Sequence, residues 1–260
     1  MKEKASSRIH YYENSQGPVI GTCSDKVIRE DGLYFRDING DGELNTYKDW
    51  RKSPEERAKA LAEDLSAEEK IGLLFLNSWK MGMEQEDKDF VDETGLLDEK
   101  PVEKGSSIFA TSSTVGTTET IKDWKVRTFI LRSNPKPDEL ADWINEMNSL
   151  AEEGEHFIPV MVVSNSRNEN GEVVFGMNDA SGVFAAWPGT MGIAAAVKGD
   201  GIHIIDDFAD CIRREWDAVG MKKGYMYMAD CATDPRWQRT YRTFGEDSKL
   251  IREIFEHLIP

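Results

Sequence analysis

From residue 126 onward two hydrophobic periods alternate along the sequence, and this alternation narrows the chain to one class of fold. Residues 126–131 form a short apolar run suited to a buried strand. Asn134-Pro135-Lys136-Pro137 ends the run and starts a helix, in which Leu140, Trp143, Ile144, Met147, Leu150 and Ala151 recur at helical spacing until Gly154. Residues 157–163 repeat the strand pattern, and Ile205, Phe208, Ile212, Trp216 and Val219 repeat the helical one, closed by Gly220. Residues 225–231 read as a third strand, and Leu250, Ile251, Ile254, Phe255 and Leu258 as a last helix. A strand that reaches the next through a helix lies parallel to it, by a right-handed crossover. The expected class is therefore α/β, a parallel sheet covered by helices. The pattern alone fits an open sheet and a barrel equally.

The N-terminal part is organised differently. Residues 1–52 read as an irregular leader with turn signals and one dense acidic loop, Asp37 to Asn45. Ser53-Pro54-Glu55-Glu56 and Ser66-Ala67-Glu68-Glu69 are capping boxes that predict two helix starts. Ala58, Leu61, Ala62 and Leu65 fall on one face of the first helix, and the second runs toward Ile71 and Leu74. Residues 82–120 are acidic, then rich in Ser, Thr and Gly, and read as an insertion. The expected domain is residues 53–260.

Charge and motif content exclude several functions. Lys and Arg number 32 against 48 Asp and Glu, a net charge of −16, so nucleic acid is a poor partner. No apolar run is long enough to cross a membrane. The stretch Met1 to Ser7 lacks the apolar segment of a signal peptide, which suggests a cytoplasmic protein. Cys23, Cys211 and Cys231 are too far apart for a zinc motif and read as free thiols. The glycine-rich nucleotide loops, the HExxH zinc motif and the GxSxG nucleophile elbow are absent. The four histidines are scattered and read as surface or packing residues.

Ligands of α/β sheets bind at the C-terminal ends of the strands. Those ends carry Arg132, Ser133 and Asn134, then Asn165, Ser166, Arg167 and Asn168, then Asp230 followed by Asp234-Pro235-Arg236-Trp237-Gln238-Arg239. Asn, Asp and Arg side chains beside tryptophan suit a polyhydroxylated ligand, which needs paired donors and acceptors with an aromatic platform. The leader loop has a separate candidate role. Asp37, Asn39, Asp41, Glu43 and Asn45 stand at the first, third, fifth, seventh and ninth positions of an EF-hand loop, with Gly42 at the turn. The twelfth position, where a bidentate Glu belongs, is Lys48. The loop is a possible Ca²⁺ site or a turn that packs the leader, and no cofactor is otherwise required.

Four ordered blocks carry a family resemblance. Asp234-Pro235-Arg236-Trp237-Gln238-Arg239 with Phe244-Gly245-Glu246-Asp247 resembles the DPRWGR…FGED signature of glycoside hydrolase family 3. Trp187-Pro188-Gly189-Thr190-Met191-Gly192-Ile193-Ala194-Ala195 resembles its FPxTxGLAA segment, and Leu65 to Gly72 its LTLEEKVGQ opening. Phe35 to Gly42, running on to Trp50 and Arg51, resembles a leader found in many bacterial members. The resemblance covers residues 35 to 260 apart from the insertion.

It implies a (β/α)8 TIM-like barrel, here incomplete, and a retaining exo-acting β-glycosidase such as a β-glucosidase, with a β-linked oligosaccharide or glycoside as substrate. Arg239 matches the signature arginine that contacts the non-reducing-end sugar, and Asn165 stands where most members carry a sugar-binding Asp. Arg167 and Asp230 are further substrate-binding candidates. Gln238 replaces the usual Gly and Arg242 the usual Glu. The family's nucleophile and acid/base motifs do not occur, so no catalytic residue is identified in the chain, and a C-terminal part of the same enzyme is the expected partner. The alternatives are a non-catalytic carbohydrate-binding module on a degenerate barrel and, from the acidic loop alone, a Ca²⁺-dependent dockerin-like module.

Overall fold

The computed structural model describes residues 3–84, 88–101, 115–165, 168–169, 184–224 and 226–259. The chain divides into two compact units, Met1–Ile130 with Glu139–Met161 and Leu131–Asp138 with Val162–Pro260.

The leader, expected to be irregular, holds regular structure. α1 (Ala5–Arg8) precedes two antiparallel strand pairs, β1 (His10–Tyr12) with β2 (Ile20–Thr22) and β3 (Val27–Glu30) with β4 (Leu33–Arg36). The second pair is joined by Asp31 and Gly32 at φ 52 and 79. Two consecutive left-handed residues make the tight turn whose twist matches the strands, and Asp-Gly is its preferred sequence. The register sets Ile28 opposite Phe35, and both are buried.

Two further helices follow, α2 (Pro54–Asp64) and α3 (Ala67–Gly72). Both start at the predicted capping boxes. Ser53 Oγ accepts from Glu56 N at 3.2 Å while Ser53 N donates to the Glu56 carboxylate at 3.0 Å. Ser66 and Glu69 repeat the exchange at 3.2 and 3.0 Å. The apolar face expected of α2 is covered only in part: Leu65, just past the helix end, is buried and Leu61 half-buried, while Ala58 and Ala62 are exposed. None of its residues is buried, and Ile71, Leu74, Phe75 and Leu76 are exposed as well. Glu69 has a second role that the sequence did not show. His156, far from a surface residue, is buried with Nδ1 3.0 Å from the Glu69 carboxylate and Nε2 3.1 Å from that of Asp64. Burial alone would raise the Glu69 carboxyl, but the bonds from Ser66 and His156 hold it below the usual range.

Four strands form one parallel sheet in chain order, β5 (Leu76–Trp79), β6 (Thr128–Leu131), β7 (Met161–Ser164) and β8 (Lys223–Gly224). The intervening helices are α4 (Thr117–Lys122), α5 (Pro137–Glu152), α6 (Thr190–Asp200) and α7 (His203–Val219), and α8 (Ser248–Leu258) closes the chain. β5 and α6 were not foreseen. The strand expected at 225–231 falls earlier and is shorter. Its ladder to β7 covers only Lys223 and Gly224, and farther on Met228 forms a single bridge to Thr243, so exposed Ala229 and Asp230 gain no partner strand. Part of the expected insertion is also ordered. Residues 88–101 fold back through bridges Met81↔Leu97 and Val91↔Asp98, and bury Leu96 and Leu97. Residues 85–87 and 102–114 lie outside the described ones.

In the first unit Trp79 packs edge-on against Phe129, ring centres 5.4 Å apart, and its indole N–H donates to Thr117 Oγ1 at 2.7 Å. The leader is fastened to α5 by two buried carboxylates. Glu146 accepts from Ala5 N at 2.7 Å and from Arg8 Nη2 at 3.2 Å. Glu152 accepts from Arg36 Nη1 at 2.5 Å, Thr22 Oγ1 at 3.0 Å and Cys23 N at 2.8 Å. Truncating Glu152 to Ala strands a guanidinium and two further donors in a largely dry site. The expected loss is about 3–5 kcal/mol, read from the urea midpoint. Glu153→Ala, at a half-exposed neighbour paired with Lys122, should change it by less than about 1 kcal/mol.

Candidate functional site

The second unit carries the residues expected to face a ligand. Asn165 directly follows Ser164, the last residue of β7, and is half-buried. Ser164 pairs with Gly224, the last residue of β8. The loops that follow these two parallel strands therefore leave from the same edge of the sheet. The first begins with Asn165; the second carries Asp230 and the block from Asp234 to Arg239. Asp230 is exposed. Arg167 lies outside the described residues.

The block after β8 is built on its own hydrogen bonds. Asp234 grips Arg236 with both oxygens, at 3.0 Å to Nε and 2.7 Å to Nη2, and also accepts the Arg236 N–H at 2.9 Å. This pairing holds the Asp234 carboxyl below the usual carboxylate range. Thr240 Oγ1 donates to Trp237 O at 2.8 Å and to Asp234 O at 3.2 Å. One arginine of the block is thus committed to the loop. The other is not: Arg239, exposed at the entrance of the 3-10 turn Thr240–Arg242, has no side-chain partner among the described residues. Its guanidinium presents five N–H donors in a rigid fork. Trp237, also part-exposed, lies two residues away.

The remaining signature residues have structural reasons. Phe244 is buried and belongs to a row of rings, Trp187, Phe208, Tyr227, Phe244 and Phe255, with successive centres 5.2, 5.8, 5.7 and 5.8 Å apart. Gly245 sits at φ 108, a conformation in which a side chain is strained. Asp247 caps α8, accepting from Lys249 N at 3.0 Å and Leu250 N at 3.4 Å. In the block before α6, Gly192 is required by closeness: a Cβ there would lie 2.8 Å from that of Pro188.

Asn168, four residues beyond β7, is fully buried and anchors its loop. It donates to Glu215 Oε2 at 2.5 Å and to Ala185 O at 3.1 Å, and accepts from Trp216 Nε1 at 3.2 Å. Glu215 Oε1 in turn accepts from Ala185 N at 3.0 Å, and Trp187 N donates to Asn168 O at 2.6 Å. Glu215 was not foreseen, since a Glu on an amphipathic helix reads as surface. A cavity of about 420 Å³ between α7, α8 and β8 is lined by Ile212, Trp216, Met221, Tyr227 and Leu258, and by none of the strand-end candidates.

The acidic leader loop, in the first unit, closes around a lysine. Asp37 accepts from Gly40 N at 3.1 Å and Gly42 N at 2.9 Å, and Asp41 accepts from Glu43 N at 2.7 Å. Lys48 Nζ donates to Asp37 Oδ1 at 2.7 Å, to Asp41 Oδ1, and to Glu43 O at 3.0 Å. Asn39 donates to Asp41 Oδ2 at 2.8 Å. No group of three or more His, Cys, Asp or Glu is arranged to hold a metal ion among the described residues.

These features define an α/β domain with Asn165 in the loop that follows β7 and, in the loop that follows β8, an exposed Arg239 without a side-chain partner among the described residues. The chain belongs to glycosyl hydrolase family 3: the model of that family's N terminal domain matches residues 97–259. A periplasmic β-glucosidase/β-xylosidase of Dickeya chrysanthemi is 32% identical over 92% of the chain and 33% of its own length. A probable β-glucosidase C of Aspergillus oryzae is 30% identical over 82% of the chain and 30% of its own length. The chain thus spans about a third of the length of these curated relatives. Among solved structures, a β-glucoside phosphorylase, BglX, bound to 2FGlc superposes with a TM-score of 0.54 at 15% identity, over 81% of this chain and 30% of that one. A β-N-acetylhexosaminidase of Beutenbergia cavernae superposes with a TM-score of 0.50 at 17% identity, over 75% and 49%. The fold is accordingly part of a TIM-like barrel of this family.

The Asn168 cluster generates a pH prediction. Asn168→Asp sets a second carboxylate beside Glu215, and like charges in a buried site raise the folded-state pKa of the pair. The folded state then binds the extra proton more tightly than the unfolded one, so the variant loses stability as pH rises. Chemical denaturation should show roughly 2–4 kcal/mol lost at about pH 8 and distinctly less at about pH 5.

Proposed function

We propose that the longer protein hydrolyses terminal, non-reducing β-D-glycosidic bonds with retention, in the manner of a β-glucosidase, and that this chain builds part of the sugar-binding subsite. The observation that carries the reading is the division of labour between two arginines in one block. Arg236 is held by Asp234, while Arg239 is exposed and has no side-chain partner among the described residues, in the loop after β8, the strand that pairs with the one Asn165 follows. The guanidinium of Arg239 can donate to two neighbouring hydroxyls of a sugar, and the amide of Asn165 can both donate and accept. Trp237 offers an apolar face to a pyranose ring. Arg167 and Asp230 are secondary candidates on the same two loops. The names of the Dickeya and Aspergillus relatives favour β-glucosides and β-xylosides.

Retention needs a nucleophile and an acid/base carboxyl about 5–5.5 Å apart. Both come, in this reading, from the remainder of the longer protein, which is the partner of this chain. The role of the chain is positioning. Hydrogen bonds to the hydroxyls fix the ring against the nucleophile and strengthen as the ring flattens toward the oxocarbenium-like transition state. Three unpaired cysteines favour a reducing compartment, the cytoplasm, although the Dickeya relative is named periplasmic. No helix among the described residues is long and apolar enough to cross a membrane.

The test is kcat/KM of the longer protein on aryl β-glucoside, β-xyloside and N-acetyl-β-glucosaminide. Arg239→Ala should lower it at least about 30-fold on the best substrate, the loss of one or two charged hydrogen bonds. Arg236→Ala should lower it less than about 5-fold, because that side chain serves only an exposed loop. An Arg239→Ala enzyme within about threefold of the parent would remove the reading. Turnover with retention by residues 1–260 alone would place the carboxylates inside this chain, with Asp230 the first to substitute.

A further inference from the structure

We infer that the acidic loop of the leader is a cation site whose cation is the chain's own Lys48, so that the leader is held by a covalently tethered ammonium where a loop of this pattern otherwise uses a divalent ion.

Three observations converge. The loop has the spacing of a calcium loop, with Asp37, Asn39, Asp41, Glu43 and Asn45 at alternate positions. Its backbone is bent accordingly: Gly40 and Gly42 lie at φ 75 and 77, and both N–H groups are turned onto the Asp37 carboxylate. Lys48, at the twelfth position, reaches back into the loop instead of out to solvent. Its side chain is 0% exposed, and its three N–H donors meet the first-position carboxylate, the fifth-position carboxylate and the seventh-position carbonyl. Those three oxygens are ones a calcium loop supplies to its ion, the seventh through its backbone carbonyl.

The third observation is an oxygen left over. Asn45 Oδ1, at the ninth position, is buried and without a hydrogen-bond partner. An ammonium has three donors and all are used. A calcium ion takes six to eight oxygens and would leave none of these unsatisfied. An unpaired oxygen at the ninth position agrees with a cation of three donors standing where a larger coordination sphere would be. The electrostatics agree. The Lys48 bond, assisted by the Glu43 N–H, brings the Asp41 carboxyl down to about 2.

A tethered cation needs no metal supply and resists chelation. It also fixes the path of the chain, since Lys48 leads into Asp49, Trp50 and the Ser53 cap of α2, while Asp37 directly follows β4. The Lys48 contact ties these two parts of the leader together.

Thermal unfolding and Tb³⁺ luminescence of the full chain test the inference, with Tyr47 and Trp50 as sensitisers beside the loop. The unsubstituted chain should melt at the same temperature, within about 1 °C, in EDTA and in millimolar CaCl₂, and should not sensitise Tb³⁺. A Ca²⁺-dependent rise of several degrees, or Tb³⁺ emission displaced by Ca²⁺, overturns the proposal, because the ion then competes successfully with Lys48. Lys48→Glu restores the twelfth-position carboxylate. This variant should sensitise Tb³⁺ and gain at least about 5 °C with Ca²⁺ but not with Mg²⁺. A folded Lys48→Glu that ignores Ca²⁺ overturns the proposal too. Lys48→Met covers the case in which Lys48→Glu does not fold without ion. It keeps the apolar stem and removes the charge, so it should melt at least about 5 °C lower at neutral pH. Part of that difference should return at about pH 4, where the stranded carboxylates take up protons. Equal melting of Lys48→Met and the parent at neutral pH counts against the proposal.

Discussion

The leader depends on two carboxylates that have been taken out of water. Glu146 and Glu152 project from α5, and each is buried. A buried carboxylate without partners is among the costliest groups a protein can hold, so its donors must be present at every moment the fold exists. Here all the donors come from the leader: the N–H of Ala5, the guanidinium of Arg8, Thr22, the N–H of Cys23, and Arg36. The strand pairs of the leader are too short to stand alone. The helix they rest on would in turn be left with two unpaid charges if they were absent. Leader and helix are therefore one folding unit, although more than 100 residues separate Arg36 from Glu152.

Part of this architecture was legible in the sequence. Capping boxes at Ser53 and Ser66 are local, need no tertiary partner, and appear as read. The helix stop at Gly220 was also visible, because a glycine that relieves a left-handed residue does so regardless of context, and α5 ends at Glu152, two residues before the Gly154 that the pattern marked. Elements whose identity rests on distant neighbours were harder to see. β5 carries the sequence Leu-Asn-Ser-Trp, with a poor apolar pattern, and becomes a strand because β6 lies beside it. Residues 225–231 carry a better pattern, and among the described ones, 226–231, only Met228 pairs, because a ladder requires a partner as well as a propensity. The Asp31-Gly32 turn was a missed local signal: it stood in plain view between two runs of strand type.

The candidate site divides in the same way. Family blocks pointed to Arg239 and Asn165, and the fold puts their loops on one edge of β7 and β8. The division between Arg236 and Arg239 could not be read, since the two share a block of six residues and only geometry shows which one Asp234 holds. Asn168 looked like a ligand candidate among its polar neighbours. Burial turns it into the support of its loop, together with Glu215 from a helix some fifty residues farther along. His156 was read as a surface or packing residue, and only its partners were out of sight. A lone histidine read as packing proves to bridge two carboxylates, one of which also caps a helix.

The row of rings from Trp187 to Phe255 has a consequence for how such a subsite can change over time. Phe244 ties the end of the Arg239 loop into the apolar interior, and the middle of the loop is held by its own backbone and hydroxyl bonds. Side chains on its outer surface, Trp237 and Gln238 among them, are exposed and contribute little to keeping the loop in place. Exposed positions of this kind tolerate exchange at a cost of a few tenths of a kcal/mol. Gln238 already differs from the family pattern. Selection for a new sugar or linkage can therefore work on the rim of the loop while its frame stays constant, which decouples the drift of specificity from the maintenance of the fold.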